Sequence, residues 1–307
     1  CDLNPEQTAE FAQKYDVPKA IRGTDLSKVI TDSGADTVFD CTVPAAHKQV
    51  TLTALSAGCD VLGEKPMAES LTDAQEMVAK ASETGKTYAV IQNRRYNPEI
   101  IRYRRALKEA SFGALTGLHA DFFIGAHFSG FRAEMDHVLL LDMAIHSFDE
   151  ARFLSGADPV AVTAVDWNPR GSWYKHGANA TAIFEMTDGI VFTYRGSWCA
   201  EGQNTSWECA WRTTGETGSV SWDGHKTVTG ETIKDDGEFI HDTDQLTVSP
   251  TEVLTNEGHA GVIREFLDSL QTGAKPQTHC TDNIKSIAMV LGAIQSAETG
   301  RRVEINI

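Results

Sequence analysis

The first hundred residues alternate amphipathic helical segments with short apolar runs. Apolar positions at helical spacing, together with capping residues, predict helices over 5–15, 25–34, 47–58 and 70–85. Continuous apolar runs with β-branched residues predict strands over 36–44, 60–66 and 86–93. This alternation of strands and helices is typical of a doubly wound α/β domain built on a parallel sheet.

Beyond a helix predicted over 94–110, the pattern becomes that of an α+β domain with a mainly antiparallel sheet. Alternating segments predict strands over 115–125, 160–167 and 206–224, and a hairpin over 180–198 that turns at Asp188-Gly189. Helices are predicted over 139–154, 259–272 and 282–299. We therefore expect two domains, 1–97 and 98–307.

The composition narrows the classes of partner. A formal net charge of −16 over 307 residues argues against nucleic acid and against anionic membrane surfaces. No apolar run approaches the roughly 20 residues of a membrane span. Six scattered cysteines show no metal-binding spacing and indicate reduced thiols in a cytoplasmic protein. We interpret Cys41 and Cys59 as small core residues.

Polar groups follow three of the predicted parallel strands. They are Thr42-Val43-Pro44, Gly63-Glu64-Lys65-Pro66 and Gln92-Asn93-Arg94. Ligands of open α/β sheets bind beyond the carboxyl ends of the strands, so these segments are predicted to line one crevice. The alternative is that they are solvated strand ends, because such ends are exposed and tolerate polar residues.

A second cluster lies in the helix predicted over 139–154. Asp142 and His146 are spaced i, i+4 and therefore share a helix face, while their neighbours are apolar on nearly all sides. One interpretation is a core histidine satisfied by a carboxylate. The other is a general base tuned by a neighbouring acid. The spacing alone leaves both open.

Three motifs in this order resemble the glucose–fructose oxidoreductase/inositol dehydrogenase family, Gfo/Idh/MocA. They are EKP at 64–66, NRRYNP at 93–98 and LDMAIHSFD at 141–149, and the resemblance covers essentially the whole chain. It implies an α/β Rossmann-type dinucleotide-binding domain, followed by an α+β domain whose open, mainly antiparallel sheet often forms an oligomer interface.

The resemblance also implies a cofactor, NAD, with NADP as the alternative. The cofactor contacts that it implies are Asp2, Thr42, Pro44, His47, Glu64, Lys65, Asn93 and Arg94. Asp2 would contact the adenosine ribose hydroxyls, and its charge favours NAD because it would repel the 2′-phosphate of NADP.

By the same resemblance the catalytic residues are Lys65, Asp142 and His146. Lys65, which Pro66 restricts to an extended backbone, would stabilise the alkoxide that forms as a C–OH group loses hydride. His146 would take the hydroxyl proton, and Asp142 would steady the imidazolium. The predicted substrate contacts are Lys65, Tyr96, Asp142, His146, Trp173 and His176.

The family pattern is not followed everywhere. The G-x-G-x-x-G turn and the strand before it are absent, so we expect the first β-α unit to be missing from an incomplete N-terminus. Leu139–Leu141 and Met143 stand where the family often has glycines. Trp207 and Trp211 are interpreted as sheet residues of the core or of a subunit contact.

The function predicted from these features is a cytoplasmic NAD(P)-dependent dehydrogenase. Its substrate would be a small carbohydrate or polyol, namely a sugar, sugar acid, polyol or inositol, and it would act as a homo-oligomer, a dimer or tetramer. No metal is expected. The alternatives are an NAD-using glycosidase of the same fold, which returns its hydride, and a non-catalytic dinucleotide-binding regulatory protein.

Overall fold

The computed structural model describes residues 1–235 and 237–307, and the chain divides into two compact units. Unit 1 comprises Cys1–Ile91 with Ile263–Ile284, and unit 2 comprises Gln92–Val262 with Lys285–Ile307. This division differs from the predicted single boundary near residue 97, because residues 263–284, late in the sequence, pack with residues 1–91 in unit 1. Val90 N donates to Thr278 O at 3.0 Å, and the rings of Phe39 and Phe266 meet edge to face at 6.1 Å.

Unit 1 is built around a parallel sheet, as predicted. Its elements are α1 (Pro5–Lys14), α2 (Leu26–Ser33), β1 (Thr37–Asp40), α3 (Pro44–Ser56), β2 (Asp60–Gly63), α4 (Leu71–Thr84) and β3 (Tyr88–Val90). Over the described residues the strand order is β1-β2-β3. Side-chain caps from Asp25 and Ser70 begin α2 and α4, and left-handed Gly34 and Gly85 end them.

Strand β1 differs from the buried strand that its apolar sequence predicts. It pairs with β2 and lies at the end of the strand order, so Phe39 keeps 44% of its surface exposed. The prediction that Cys41 is a core residue is wrong: Cys41 follows the strand and is exposed, whereas Cys59 is buried as expected. Apolar content alone does not report how many neighbours a strand has.

Unit 2 consists of helices and a large, mostly antiparallel sheet. Its elements begin with α5 (Pro98–Glu109), β4 (Leu115–Phe123), α6 (Phe131–Glu134), α7 (Ile145–Ser155), β5 (Pro159–Trp167), β6 (Asn179–Met186) and β7 (Val191–Ser197). They continue with β8 (Ala210–Gly215), β9 (Gly218–Trp222), β10 (Val228–Ile233) and β11 (Thr243–Gln245). Helices α8 (Gly258–Thr272) and α9 (Cys280–Thr299) then lead to β12 (Val303–Glu304).

The strand order of this sheet, over the described residues, is β11-β10-β9-β8-β4-β7-β6-β5-β12. The β4–β7 pair is parallel, and the other neighbouring pairs are antiparallel. The predicted hairpin is confirmed, since β6 and β7 pair across a turn in which Asp188 and Gly189 have φ values of 61° and 72°. Glycine adopts this left-handed conformation without steric cost.

The tryptophans of the sheet divide between core and surface. Trp198, Trp211 and Trp222 are at most 2% exposed, so the core interpretation of Trp211 is confirmed. Trp207 precedes β8 and is 50% exposed, so it is not a core residue of the sheet, and its place in a subunit contact stays a prediction. Cys209 has a positive φ of 63°, which interrupts the strand alternation before β8 begins.

The helix predicted over 139–154 is present in two forms. Leu139–Ala144 is a π-helix, and the α-helix α7 begins at Ile145. Asp142 therefore lies in the π segment and His146 in the first turn of α7. Single π turns inside helices are rare and occur frequently at functional sites, so this junction is the first structural indication of a site in unit 2.

Two kinds of structure are absent from the described residues. No helix there is both long enough and apolar enough to cross a membrane. In the same part of the chain, no group of three or more His, Cys, Asp or Glu side chains is arranged to hold a metal ion.

Candidate active site

In unit 1, polar groups gather where β1 ends. The Asp40 carboxylate is 1% exposed, and its Oδ1 accepts hydrogen bonds from Thr42 N at 3.1 Å and Thr42 Oγ1 at 2.6 Å. Pro44 occupies the first turn of α3, and Val43 precedes it without a side-chain cap. The Ala46 N–H of this first turn donates to Val43 O at 2.8 Å, so the backbone, and not a capping side chain, supplies the contact there.

The EKP segment follows β2. Glu64 N donates to Asp40 O at 2.9 Å, and the Lys65 backbone N–H donates to Glu64 Oε2 at 3.2 Å. Both side chains are half-buried, and a cis peptide joins Lys65 to Pro66. The charges at this strand end are therefore held at the boundary between protein and solvent.

His47 connects the two loops. It is 2% exposed, and its ring nitrogens meet two carbonyl oxygens: Nδ1 lies 2.8 Å from Pro66 O and Nε2 lies 3.0 Å from Thr42 O. A neutral imidazole donates to only one of them at a time. These contacts favour a positioning role for His47 between the loops, and its predicted cofactor contact stays a prediction.

Replacing His47 with leucine is expected to lower the free energy of unfolding by about 1–3 kcal/mol, because a buried carbonyl loses its donor. His47→Gln, which retains an N–H donor, is expected to lose less. Urea unfolding of both variants measures the effect, and His225→Leu in the exposed turn between β9 and β10 is the control. A His47→Leu loss no larger than the control's would contradict the positioning role.

The residues at these strand ends fit a nicotinamide dinucleotide. Asp40 Oδ2 is buried and has no hydrogen-bond partner among the described residues, and α3 begins without a side-chain cap. A dinucleotide has hydroxyl and amide groups that can donate to Asp40 Oδ2, and it has phosphate oxygens of the kind that bind at the start of a helix. Asp2 is exposed ahead of α1, where its Oδ1 accepts from Asn4 N at 2.8 Å.

The NRRYNP segment begins unit 2 as a 3-10 turn over Asn93–Tyr96. Asn93 is half-buried and Tyr96 is 8% exposed. Arg94, also 8% exposed, lies 3.4 Å from both Glu150 Oε1 and Glu208 Oε2. Its observed partners are thus carboxylates of unit 2, and its cofactor contact stays a prediction.

This part of unit 2 contains buried charged side chains, among them Glu150 and Arg95. Burial raises the pKa of Glu150 well above its usual range, and the nearby Arg94 guanidinium opposes the shift. Arg95 holds Asp149 by two hydrogen bonds, of 2.7 Å and 2.6 Å. Glu150 and Asp149 both lie on α7, so these arginines fix the helix that carries His146.

The helical junction itself keeps its polar residues accessible. Leu139, Leu140, Met143, Ala144 and Ile145 are buried, with at most 3% of each exposed. Asp142 and His146 are half-buried, and Asp142 Oδ2 accepts a hydrogen bond from Arg132 Nε at 2.8 Å. A histidine that retains solvent access at a π-to-α junction favours the general-base interpretation over the core histidine.

Trp173 and His176, which are predicted to contact the substrate, both have partners within unit 2. Trp173 Nε1 donates to Ala126 O at 2.9 Å, and one ring face is covered by His127 at a centroid distance of 3.6 Å. His176 Nδ1 lies 3.0 Å from Asp136 Oδ1. Their substrate contacts stay predictions, and the observed contacts tie their loop to residues 126–136.

Arg132 is the residue of this region that the sequence analysis missed. It lies ten positions before Asp142, on α6, and no spacing rule relates the two. The signal that could have identified it is weak: a lone cation between Phe131 and a run of acidic and apolar residues.

Comparison with known proteins gives one consistent picture. Residues 1–92 match the family described as "Oxidoreductase family, NAD-binding Rossmann fold", and residues 100–221 match the "GFO/IDH/MocA C-terminal domain". The 1,5-anhydro-D-fructose reductase of Ensifer adhaerens is 25% identical over an alignment of 312 residues, and this alignment covers 98% of this chain and 88% of that protein. The D-apiose dehydrogenase of Paraburkholderia graminis is 26% identical over 322 residues, 99% and 82% of the two chains.

The fold is shared with solved structures as well. A crystal structure of an oxidoreductase from Agrobacterium radiobacter, in complex with NAD+, L-tartaric acid and magnesium, superposes with a TM-score of 0.84. The two chains are 22% identical, and the match covers 99% of this chain and 90% of that one. At this identity the likeness establishes the fold.

Proposed function

The chain belongs to the GFO/IDH/MocA family of oxidoreductases with an NAD-binding Rossmann fold, and we propose that it oxidises or reduces a C–OH group of a sugar, sugar acid, polyol or inositol. The observation that carries this proposal is the π-to-α junction of unit 2, where Asp142 and His146 are half-buried among buried apolar neighbours. The sugar-directed names of its relatives support this substrate class.

Three side chains carry the proposed chemistry. His146 takes the proton of the substrate hydroxyl, and Asp142 orients and steadies the resulting imidazolium. The Lys65 ammonium group stabilises the negative charge that develops on the substrate oxygen. Glu64, whose Oε2 accepts the Lys65 backbone N–H, holds the segment from which this lysine extends. In the reducing direction the same groups act in reverse, with the imidazolium returning the proton.

Most of the residues proposed to hold NAD belong to unit 1. Asp2, Thr42, Pro44, Glu64 and Lys65 are the proposed contacts there, and His47 positions the loops of Thr42 and Pro66. Asn93 and Arg94, at the start of unit 2, complete the proposed set. When bound, the nicotinamide supplies the redox chemistry by accepting or donating a hydride. The Asp2 carboxylate supports NAD as the preferred form, because it would repel the 2′-phosphate of NADP.

Fluorescence titration of the protein with NADH and NADPH, followed by a screen for NAD reduction, tests the proposal. The screen uses D-xylose, D-glucose, D-gluconate, glycerol and myo-inositol, and it includes reduction of 1,5-anhydro-D-fructose. Saturable NADH binding with net turnover of a panel member is expected. Turnover of a nitrophenyl glycoside without net NADH would indicate the glycosidase alternative, and binding without any turnover would indicate a regulatory protein.

The cell compartment and the assembly are part of the same proposal. We place the protein in the cytoplasm, supported by six cysteines that form no disulfide in the described chain. A homodimer or homotetramer is supported by apolar side chains on one face of the outer strands of unit 2. Val165, Trp167 and Ile183 are 59%, 42% and 48% exposed there. Light scattering after size exclusion would contradict the assembly if it gave the monomer mass.

A further inference from the structure

The contact between Arg132 and Asp142 joins a loop residue to a proposed catalytic residue. Arg132 Nε donates to Asp142 Oδ2 at 2.8 Å, with 36% of the Arg132 side chain and 12% of the Asp142 side chain exposed. A charge-assisted hydrogen bond to a mostly buried carboxylate is shorter and stronger than a neutral one. It also restricts both torsions of the aspartate side chain, so it fixes the direction in which the other oxygen faces.

The guanidinium of Arg132 is itself held by aromatic rings. Its Cζ lies 4.8 Å from the ring centroid of Phe131 and 5.2 Å from that of Phe128. These distances are within the range of cation–π attraction. The two rings therefore help to hold the guanidinium beside the carboxylate, although Phe131 is itself 58% exposed.

The loop that carries Arg132 is tied to a second loop of unit 2. Lys175 N donates to Ala133 O at 2.9 Å, and Lys175 Nζ lies 2.9 Å from Glu134 Oε2. His176 adds its pair with Asp136 at 3.0 Å. Three contacts within four residues of Arg132 therefore determine where this four-residue helix lies, although α6 is too short to be stable alone.

From these contacts we propose that Arg132 is a positioning residue of the oxidoreductase reaction, acting through Asp142. This inference rests on the proposed function, since it assigns Arg132 the task of fixing the carboxylate that steadies His146. The bond from Arg132 fixes one oxygen of Asp142 and thereby keeps the carboxylate in a single orientation. Without Arg132 the carboxylate would adopt other rotamers, and fewer enzyme molecules would hold the imidazolium in a productive position.

A double-mutant cycle tests the proposal. Arg132→Met is expected to lower kcat by about 10- to 100-fold on the best substrate of the sugar and polyol panel. In an Asp142→Asn background the same change is expected to cost less than about 2-fold, because the carboxylate it orients is already gone. The KM for NAD is expected to stay within about 2-fold in all variants, since neither Arg132 nor Asp142 is a proposed cofactor contact.

Chemical rescue distinguishes a positioning role of Arg132 from a merely structural one. Arg132→Ala is expected to regain activity when guanidinium chloride is added at sub-denaturing concentration, because the ion can replace the missing donor. Arg264→Met on α8, which removes an exposed arginine paired with Asp268 at 3.5 Å, is the matched control and should show neither loss nor rescue.

Each contrary result has a distinct meaning. Full activity of Arg132→Met, or an equal loss in both backgrounds, would overturn the positioning role. An Asp142→Asn variant with unchanged turnover would instead overturn the role of Asp142 in the proposed function. Thermal unfolding of every variant separates these outcomes from loss of the folded protein.

Discussion

Lys65→Ala is expected to lower kcat by about 10²–10³-fold and to weaken NADH binding much less, since the other proposed cofactor contacts remain. The ammonium group is proposed to act where negative charge develops on the substrate oxygen, so its loss affects the transition state more than the ground state. Steady-state kinetics on the best substrate of the panel, with NADH affinity measured by fluorescence, determine the two quantities separately. Lys65→Arg should recover only part of the rate, because a planar guanidinium does not reproduce a compact ammonium group.

The matched control for this substitution is Lys80→Ala on α4 of the same unit. Lys80 forms an exposed i, i+3 pair with Glu83 at 3.0 Å, so its replacement removes a lysine and an ion pair away from the strand ends. It should leave kcat unchanged. If Lys65→Ala behaved like this control, Lys65 would have no role in the reaction.

Arg95→Met is expected to destabilise the protein by about 3–5 kcal/mol, the largest stability effect that the ion pairs predict. Arg95 and Asp149 are 6% and 2% exposed and are joined by two hydrogen bonds. Loss of the arginine leaves the Asp149 carboxylate buried, with Ser286 Oγ donating at 2.7 Å and the more distant Arg152 Nη1 at 4.0 Å. Urea unfolding, with the signal of the buried tryptophans, measures the change.

Two further variants test whether burial of the ion pair causes the loss of stability. Arg302→Met removes a second bidentate arginine, which meets Glu185 at 2.6 Å and 2.8 Å but is 44% exposed. It should cost much less than Arg95→Met, because water screens exposed pairs. The double variant Arg95→Met/Asp149→Met should regain most of the loss, since it leaves no unpaired buried charge. Equal losses for Arg95→Met and Arg302→Met would contradict burial as the cause.

Local signals predicted much of this fold correctly because each acts over a few residues. The caps at Asp25 and Ser70 and the glycines Gly34 and Gly85 set the ends of α2 and α4. Asp188-Gly189 set the hairpin. The errors arose where burial depends on distant neighbours: the apolar run 36–44 predicts a buried strand and core Cys41, but β1 lies at the end of the strand order and Cys41 is exposed.

The sequence by itself therefore determined the family and the order of helices and strands in the first ninety residues, and it predicts catalytic roles for Lys65, Asp142 and His146. It did not predict α6, β10, β11 or β12, and it predicted one strand over 206–224 where the structure has β8 and β9. Only the tertiary structure decided which groups hold those residues. His47 reaches Pro66 O across 19 positions, and Arg95 reaches Asp149 across 54. Arg132 meets Asp142 because contacts from the loop around Lys175 place α6 there. Capping and periodicity act within one or two turns, whereas such pairs depend on the path of the whole chain.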